Sequence, residues 1–281
     1  MKVAIIGYGF VGKALSDGIL SSVEVLKIDP KLDTKVSEIR NFKPNIVFIC
    51  LPTPMSDDSS QNISIIKEVM EEIAELGTNS LIVLKSTVLP NNIEALASLK
   101  KDFIYNPEFL REKHAKEDFV NSSLIIFGGK KDKCEYLAEF YSKHTKCLSK
   151  NYFFTDKITA SLIKYSINSF LSTKVSFFNE LHALFSKSGT KESWDNFTNM
   201  ISADKRIGDS HMQVPGHDGR FGFGGACLPK DSKAFSLYSE KKQANLNVLK
   251  TAINTNNKIR AKYKKETTRE IEQNITFKSD S

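Results

Sequence analysis

The sequence predicts an α/β protein: a parallel sheet with helices on its faces, followed by an all-α domain built on a long central helix. Three observations carry this prediction. From residue 2 to about 129, short runs rich in valine and isoleucine alternate with amphipathic stretches, the pattern of successive βα units. A glycine-rich turn follows the first of these runs directly. After about residue 150 the strand signal stops, and apolar residues recur at helical spacing.

In chain order the strand runs are VAII (3–6), VEVLKI (23–28), NIVFIC (45–50), SLIVLK (80–85), FIY (103–105) and LIIFGG (124–129). Helix-period segments such as ISIIKEVMEEIAEL (63–76) lie between several of them. From Asp156 to Ser188 the residues Ile158, Leu162, Tyr165, Phe170, Val175, Phe178, Leu181 and Phe185 define one long helix, ended by Gly189. A shorter helix is expected around Glu192–Ile201, then a glycine-rich loop from Asp204 to Ala226, a helix opening at Pro229 and a last helical stretch from about Leu246. The break near 145–155 divides the chain into domains at 1–150 and 151–281.

At 281 residues, 40% hydrophobic and 26% charged, the chain has room for two domains and excludes disordered, collagen-like and coiled-coil classes. The opening MKVAIIGYGFVG lacks the long apolar core of a signal peptide, and no stretch reaches the roughly 18 apolar residues a membrane helix needs. The four cysteines (Cys50, Cys134, Cys147, Cys227) show no paired spacing, so neither a metal site nor a disulfide framework is expected. The reading is a cytoplasmic protein that binds no membrane. A net charge of +7 with no nucleic-acid motif points to phosphorylated small molecules rather than nucleic acid. The basic run Lys258, Arg260, Lys262, Lys264 and Lys265 reads as a solvated helix face.

The glycine turn is Gly7-Tyr8-Gly9-Phe10-Val11-Gly12, placed between a strand and a helix, which marks a Rossmann-type dinucleotide site. Gly7 permits the tight turn, Gly9 lets the backbone approach a pyrophosphate, and Gly12 lets helix and strand pack closely. Asp29, at the end of the second strand, is placed to accept hydrogen bonds from a ribose 2′-hydroxyl and to repel a 2′-phosphate, so NAD is expected rather than NADP. Thr53, within Cys50-Leu51-Pro52-Thr53-Pro54, and Thr87, within Lys85-Ser86-Thr87-Val88, each follow a strand at the edge where ligands of open α/β sheets bind. Either segment also reads as a plain connector. Cys50 reads as a buried, inert thiol.

The segment Phe221-Gly222-Phe223-Gly224-Gly225-Ala226-Cys227-Leu228-Pro229-Lys230-Asp231 puts a cysteine at a helix N-terminus. There the helix dipole and Lys230 favour the thiolate, the form that acts as nucleophile. The glycines let a substrate approach, and Asp231 falls one turn beyond the thiol. A structural cysteine in a glycine-rich turn is the competing reading. On the long helix Lys164 and Asn168 share a face, with Asn179 close to it, and can donate to a developing oxyanion. Glu108 and Glu112 lie four residues apart and would pair as acid and base if their turn is helical.

Together GYGFVG (7–12), LPTP (51–54), KSTV (85–88), NPEFLRE (106–112), LIKYSINSFLSTKVSFFNEL (162–181), RIG (206–208) and FGFGGACLPKD (221–231) resemble the UDP-glucose 6-dehydrogenase family, within the UDP-glucose/GDP-mannose dehydrogenase group. The resemblance implies two-step oxidation of a UDP-sugar C6 alcohol to a carboxylate with two NAD, through a cysteine thiohemiacetal and thioester, and a place in polysaccharide biosynthesis. It implies Cys227 as nucleophile, Lys164 and Asn168 on the sugar oxygen, Asp231 positioning water with Lys164, and Glu108 in thioester hydrolysis. Glu112 and Thr87 would line the nicotinamide side, and Gly224 the substrate. Gly7, Gly9, Phe10, Val11, Gly12, Asp29, Thr53 and Thr87 would hold NAD. Arg206 would reach the substrate of the neighbouring subunit in a homodimer built on the long helix. Only 54 residues follow Cys227, whereas the family continues into a second Rossmann-like domain that grips the nucleotide. Two other readings stand beside this one: a single-step β-hydroxyacid dehydrogenase, and a noncatalytic NAD-binding subunit of a larger assembly.

Overall fold

A computed structural model describes residues 1–99 and 102–277. The contacts divide it into two compact units, Met1–Thr53 with Ile63–Lys164 and Pro54–Asn62 with Tyr165–Ser281.

The first unit is a seven-stranded sheet: β1 (Lys2–Ile6), β2 (Glu24–Ile28), β3 (Ile46–Ile49), β4 (Leu81–Leu84), β5 (Phe103–Tyr105), β6 (Ile125–Gly128) and β7 (Tyr152–Thr155). Its order is β2-β1-β3-β4-β5-β6-β7. The helices are α1 (Phe10–Gly18), α2 (Ile39–Phe42), α3 (Ser64–Glu75), α4 (Pro90–Leu99), α5 (Ala115–Val120) and α6 (Lys131–His144). Central strands are apolar throughout because both faces are covered. Val3, Ile5, Phe48 and Val83 enter one buried cluster, while their neighbours Ala4, Ile6, Val47 and Ile82 enter the other. Pairing is parallel except for the short β5–β6 contact at Tyr105 and Gly128, a departure from the fully parallel expectation.

The register is flush: Ile6 lies beside Ile28 and Ile49, and Ile49 beside Leu84. The loops after β1, β2, β3 and β4 therefore leave one edge together. The chain reverses its direction of winding between β1 and β3, and the crevice at such a reversal is where ligands of these sheets bind. Strand β7 corrects the expectation that strands stop near 150. Its Phe153 and Phe154 are half exposed at the sheet edge, so its sequence carries no buried-strand pattern.

Helix α7 (Lys157–Phe185) begins in the first unit and continues in the second, which adds α8 (Trp194–Ser202), α9 (Leu228–Lys241), α10 (Asn247–Arg260) and α11 (Thr268–Ile271). Gly189 has φ +74°, the left-handed geometry that ends a helix. Phe178, Trp194, Met212 and Val214 form a buried cluster, and Tyr165 stacks on Phe235 at 5.5 Å. Elsewhere α7 meets α9 and α10 through small hydroxyl residues: Ser172 and Ser232 are 2.6 Å apart, and Ser176 Oγ donates to the Ala252 carbonyl at 2.9 Å. On α7, Phe170, Phe177 and Leu184 repeat at seven-residue spacing and are 67%, 59% and 65% exposed. No described helix is long and apolar enough to cross a membrane.

The basic run is only partly a solvated face. Lys258, Lys262, Lys264 and Lys265 are exposed, but Arg260 is 2% exposed and ion-paired with Asp218 and Glu270. An arginine can be buried when carboxylates meet its planar donors, and its own heptapeptide does not announce those partners.

Candidate active site

Gly7, with φ +90°, turns the chain after β1 so tightly that a Cβ there would lie 2.6 Å from the Cys50 carbonyl oxygen. Gly9 is the N-cap of α1 and gives that helix no side-chain cap, so backbone amides face the place where an anion fits. Phe10 and Val11 open the helix, and Gly12 packs against the Gly7 backbone where a side chain would collide. Asp29 stands beside this turn, its Oδ2 accepting from the Tyr8 amide at 2.7 Å and its Oδ1 from the Lys31 amide at 2.9 Å. Each carboxylate oxygen keeps a further lone pair for a ribose hydroxyl. Thr53 is buried and donates to the Thr87 carbonyl at 3.0 Å, which ties the loops after β3 and β4 together. These residues suit the pyrophosphate and ribose of a dinucleotide.

Beside this edge, Lys164 is buried on α7 and donates to the Glu108 carbonyl oxygen at 2.6 Å, with the Glu108 carboxylate 3.6 Å away. The Glu108 Oε2 accepts from the Leu110 amide at 2.6 Å, which turns the carboxylate inward. The segment from Asn106 to Arg111 is not helical, and Glu112 is exposed in a following 3-10 turn. Glu108 and Glu112 therefore do not share a helical face. Pro107 disfavours helix at the residue before it, and Arg111 is held by Asp118 through its amide at 2.7 Å.

In the second unit Cys227 is the N-cap of α9, with Pro229 in the first turn. Its thiol is half-buried and in no disulfide. Asp231 is 1% exposed; its Oδ2 accepts from Asn168 Nδ2 at 2.7 Å and its Oδ1 from Lys230 Nζ at 2.6 Å. Lys230 thus holds Asp231. Asn168 follows Lys164 by one turn of α7. Asn179 Oδ1 accepts from the Gly222 amide at 2.8 Å, so it shapes the glycine loop. Arg206 is exposed and ion-paired with Asp204 at 2.5 Å.

Residues 31–145 match the NAD binding domain of the UDP-glucose/GDP-mannose dehydrogenase family, and residues 158–258 match its central domain. The chain belongs to the UDP-glucose/GDP-mannose dehydrogenase family. It is 34% identical over 218 residues to a UDP-glucose 6-dehydrogenase of Rickettsia bellii, covering 75% of this chain and 48% of that protein. It spans about half the length of this and similar curated relatives that it matches. Among solved structures, a UDP-glucose dehydrogenase from Pyrobaculum islandicum superimposes with TM-score 0.75 at 24% identity, covering 91% of this chain and 67% of that one. A 3-hydroxyisobutyrate dehydrogenase from Mycobacterium tuberculosis gives TM-score 0.71 at 15% identity, covering 92% and 94%. Both likenesses concern the fold.

Most of the match to the family's NAD binding domain falls in the first unit, which contains a polar network that the motifs did not reveal. Lys85 Nζ donates to Asn106 Oδ1 at 2.9 Å and contacts the Tyr141 hydroxyl at 3.2 Å, while Asn106 Nδ2 donates to the Ile126 carbonyl at 2.9 Å. Burial pushes the Lys85 ammonium below its ordinary value. The network fixes the root of the segment that carries Glu108. Its one sequence signal is a lysine closing the otherwise apolar run SLIVLK. Lys174 was missed as well: it is buried on α7 and donates to the Ile207 carbonyl at 3.0 Å, holding the RIG turn next to Arg206.

Proposed function

We propose that this chain oxidises the C6 alcohol of a nucleotide sugar, of the UDP-glucose kind, to a carboxylate, with Cys227 as covalent nucleophile. The observation that supports this most is Cys227 at the N-cap of α9, one turn before a buried Asp231 that is bound to Asn168. A helix N-terminus favours the thiolate. Bound NAD supplies the hydride acceptor for both oxidations. Gly7, Gly9, Phe10, Val11, Gly12, Asp29, Thr53 and Thr87 hold it.

After the alcohol is oxidised to the aldehyde, the Cys227 thiolate adds to C6 and a C–S bond forms. The thiohemiacetal loses a hydride and becomes a thioester. Water then breaks the C–S bond, releasing the carboxylate and returning the thiol. Lys164 and Asn168 donate to the C6 oxygen as negative charge develops there. Asp231 orients the attacking water with Lys164, and Glu108 accepts its proton. Glu112 and Thr87 line the nicotinamide side, and the Gly224 backbone meets the sugar. Arg206, whose side chain is exposed, reaches the substrate of a neighbouring subunit in a homodimer.

Cys227→Ala is expected to form no sugar acid when UDP-, GDP- and ADP-sugars are screened with NAD and products are identified by mass. An unchanged acid yield in that variant would overturn the covalent route.

A further inference from the structure

Four backbone amides of the thiol loop end on side chains of the second unit. The Phe221 amide donates to the Tyr263 hydroxyl at 2.8 Å, Gly222 to Asn179 Oδ1 at 2.8 Å, Phe223 to Asn256 Oδ1 at 2.6 Å and Gly225 to Glu270 Oε1 at 3.2 Å. Asn256 Nδ2 returns a bond to the Phe223 carbonyl at 3.0 Å. Three of these four side chains come from α10 or the segment after it. Glu270 lies beyond residues 158–258, where the match to the family's central domain ends.

Glu270, like Asn256, has no exposed surface. Its Oε1 meets both the Gly225 amide and Arg260 Nη2, and its Oε2 accepts from the Thr267 amide at 2.7 Å. Arg260 Nη1 is held in turn by Asp218 Oδ2 at 2.8 Å. The glycines of the loop are shaped to this pair. A Cβ on Gly224 would overlap Arg260 Nη2 and lie 2.5 Å from Glu270 Oε1, and one on Gly222 would lie 2.5 Å from Asn256 Oδ1. The two glycines thus admit the brace behind the loop, besides any room they leave for a substrate. A buried ion pair is a poor source of stability and is best retained where it fixes a geometry.

We propose that Glu270, together with Arg260, is a positioning residue that sets the Gly222–Gly225 backbone and so delivers the Cys227 thiol to the N-terminus of α9. The proposal rests on Cys227 being the nucleophile. It deepens that reading by assigning a role to a segment outside the family match. Small displacements of a reacting group cost large factors in rate, so loss of the brace falls on kcat more than on cofactor binding.

The test uses the full chain and two readouts that need different things. The rate of Cys227 alkylation by iodoacetamide, with no sugar present, reports on the loop even if the sugar reading is wrong; kcat and the KM for NAD report on turnover. Glu270→Ala is expected to slow alkylation at least fivefold and to lower kcat about tenfold or more, with the KM for NAD within twofold of wild type. Glu270→Gln, which keeps an acceptor for the Gly225 amide, is expected to recover most of both. If Glu270→Ala fails to fold, Gly224→Ala decides, because its added methyl displaces the brace from the loop side and should slow alkylation by a similar factor. Wild-type alkylation and kcat in the folded variant would overturn the proposal. So would NAD affinity falling in step with alkylation, since that is a general loss of fold.

Discussion

Cys227 differs from the other three thiols in position, as the N-cap of α9. Burial pushes the Cys50 thiol up to about 12 and that of Cys134 to about 11, and raises Cys147 as well. At pH 8 a thiol at 12 is ionised in only about one molecule in ten thousand, and the thiolate is the form that reacts. Native protein treated briefly with iodoacetamide at pH 8 should therefore gain a single carbamidomethyl group by mass. That group should be absent from Cys227→Ala, and labelling at Cys50 instead would refute the assignment. The sign at higher pH follows from the same shifts. The raised thiols favour the folded chain below about pH 9, and the contribution of Cys50 is lost between 9 and about 12.

Among the elements, α7 carries the clearest unpartnered feature, the stripe of Phe170, Phe177 and Leu184. Burying one such side chain is worth about 1.5–3 kcal/mol, and heptad spacing suits a second helix. If the proposed homodimer forms, its contact is expected there. Phe170→Glu combined with Phe177→Glu should halve the mass measured by light scattering, and a wild-type chain that is already monomeric would refute the placement. The central strands and α7 were legible in the sequence because they bury continuous or evenly spaced apolar residues. Strand β7 and helix α11 were not, since one is a half-exposed edge and the other a single turn fixed by the Thr267–Glu270 capping box. Within the site, the glycine turn, Asp29 and the N-cap cysteine announce themselves by local pattern. Lys85, Arg260 and Glu270 do not, because what gives them a role is a partner distant in sequence or, for Arg260 and Glu270, ten residues away.

For the molecule as a whole, electron count separates the proposed function from a one-step alcohol oxidation. Two NADH per molecule of acid are expected when absorbance at the nicotinamide band is compared with product by mass; a ratio of one would favour the one-step reading. The discontinuous second unit bears on how the chain is made. Residues 54–62 belong to it although they lie between β3 and α3, and they are held there by late residues: the Met55 amide donates to the Gln273 carbonyl at 3.1 Å and Asn274 Nδ2 to the Met55 carbonyl at 3.1 Å. Contacts across 219 positions close late, because the intervening chain must first exist. During synthesis the sheet can assemble as soon as residue 155 has emerged, whereas Pro54–Asn62 must wait for the turn after α11. A ribosome stalled short of residue 274 would present that peptide to proteases while the sheet of the first unit is already folded.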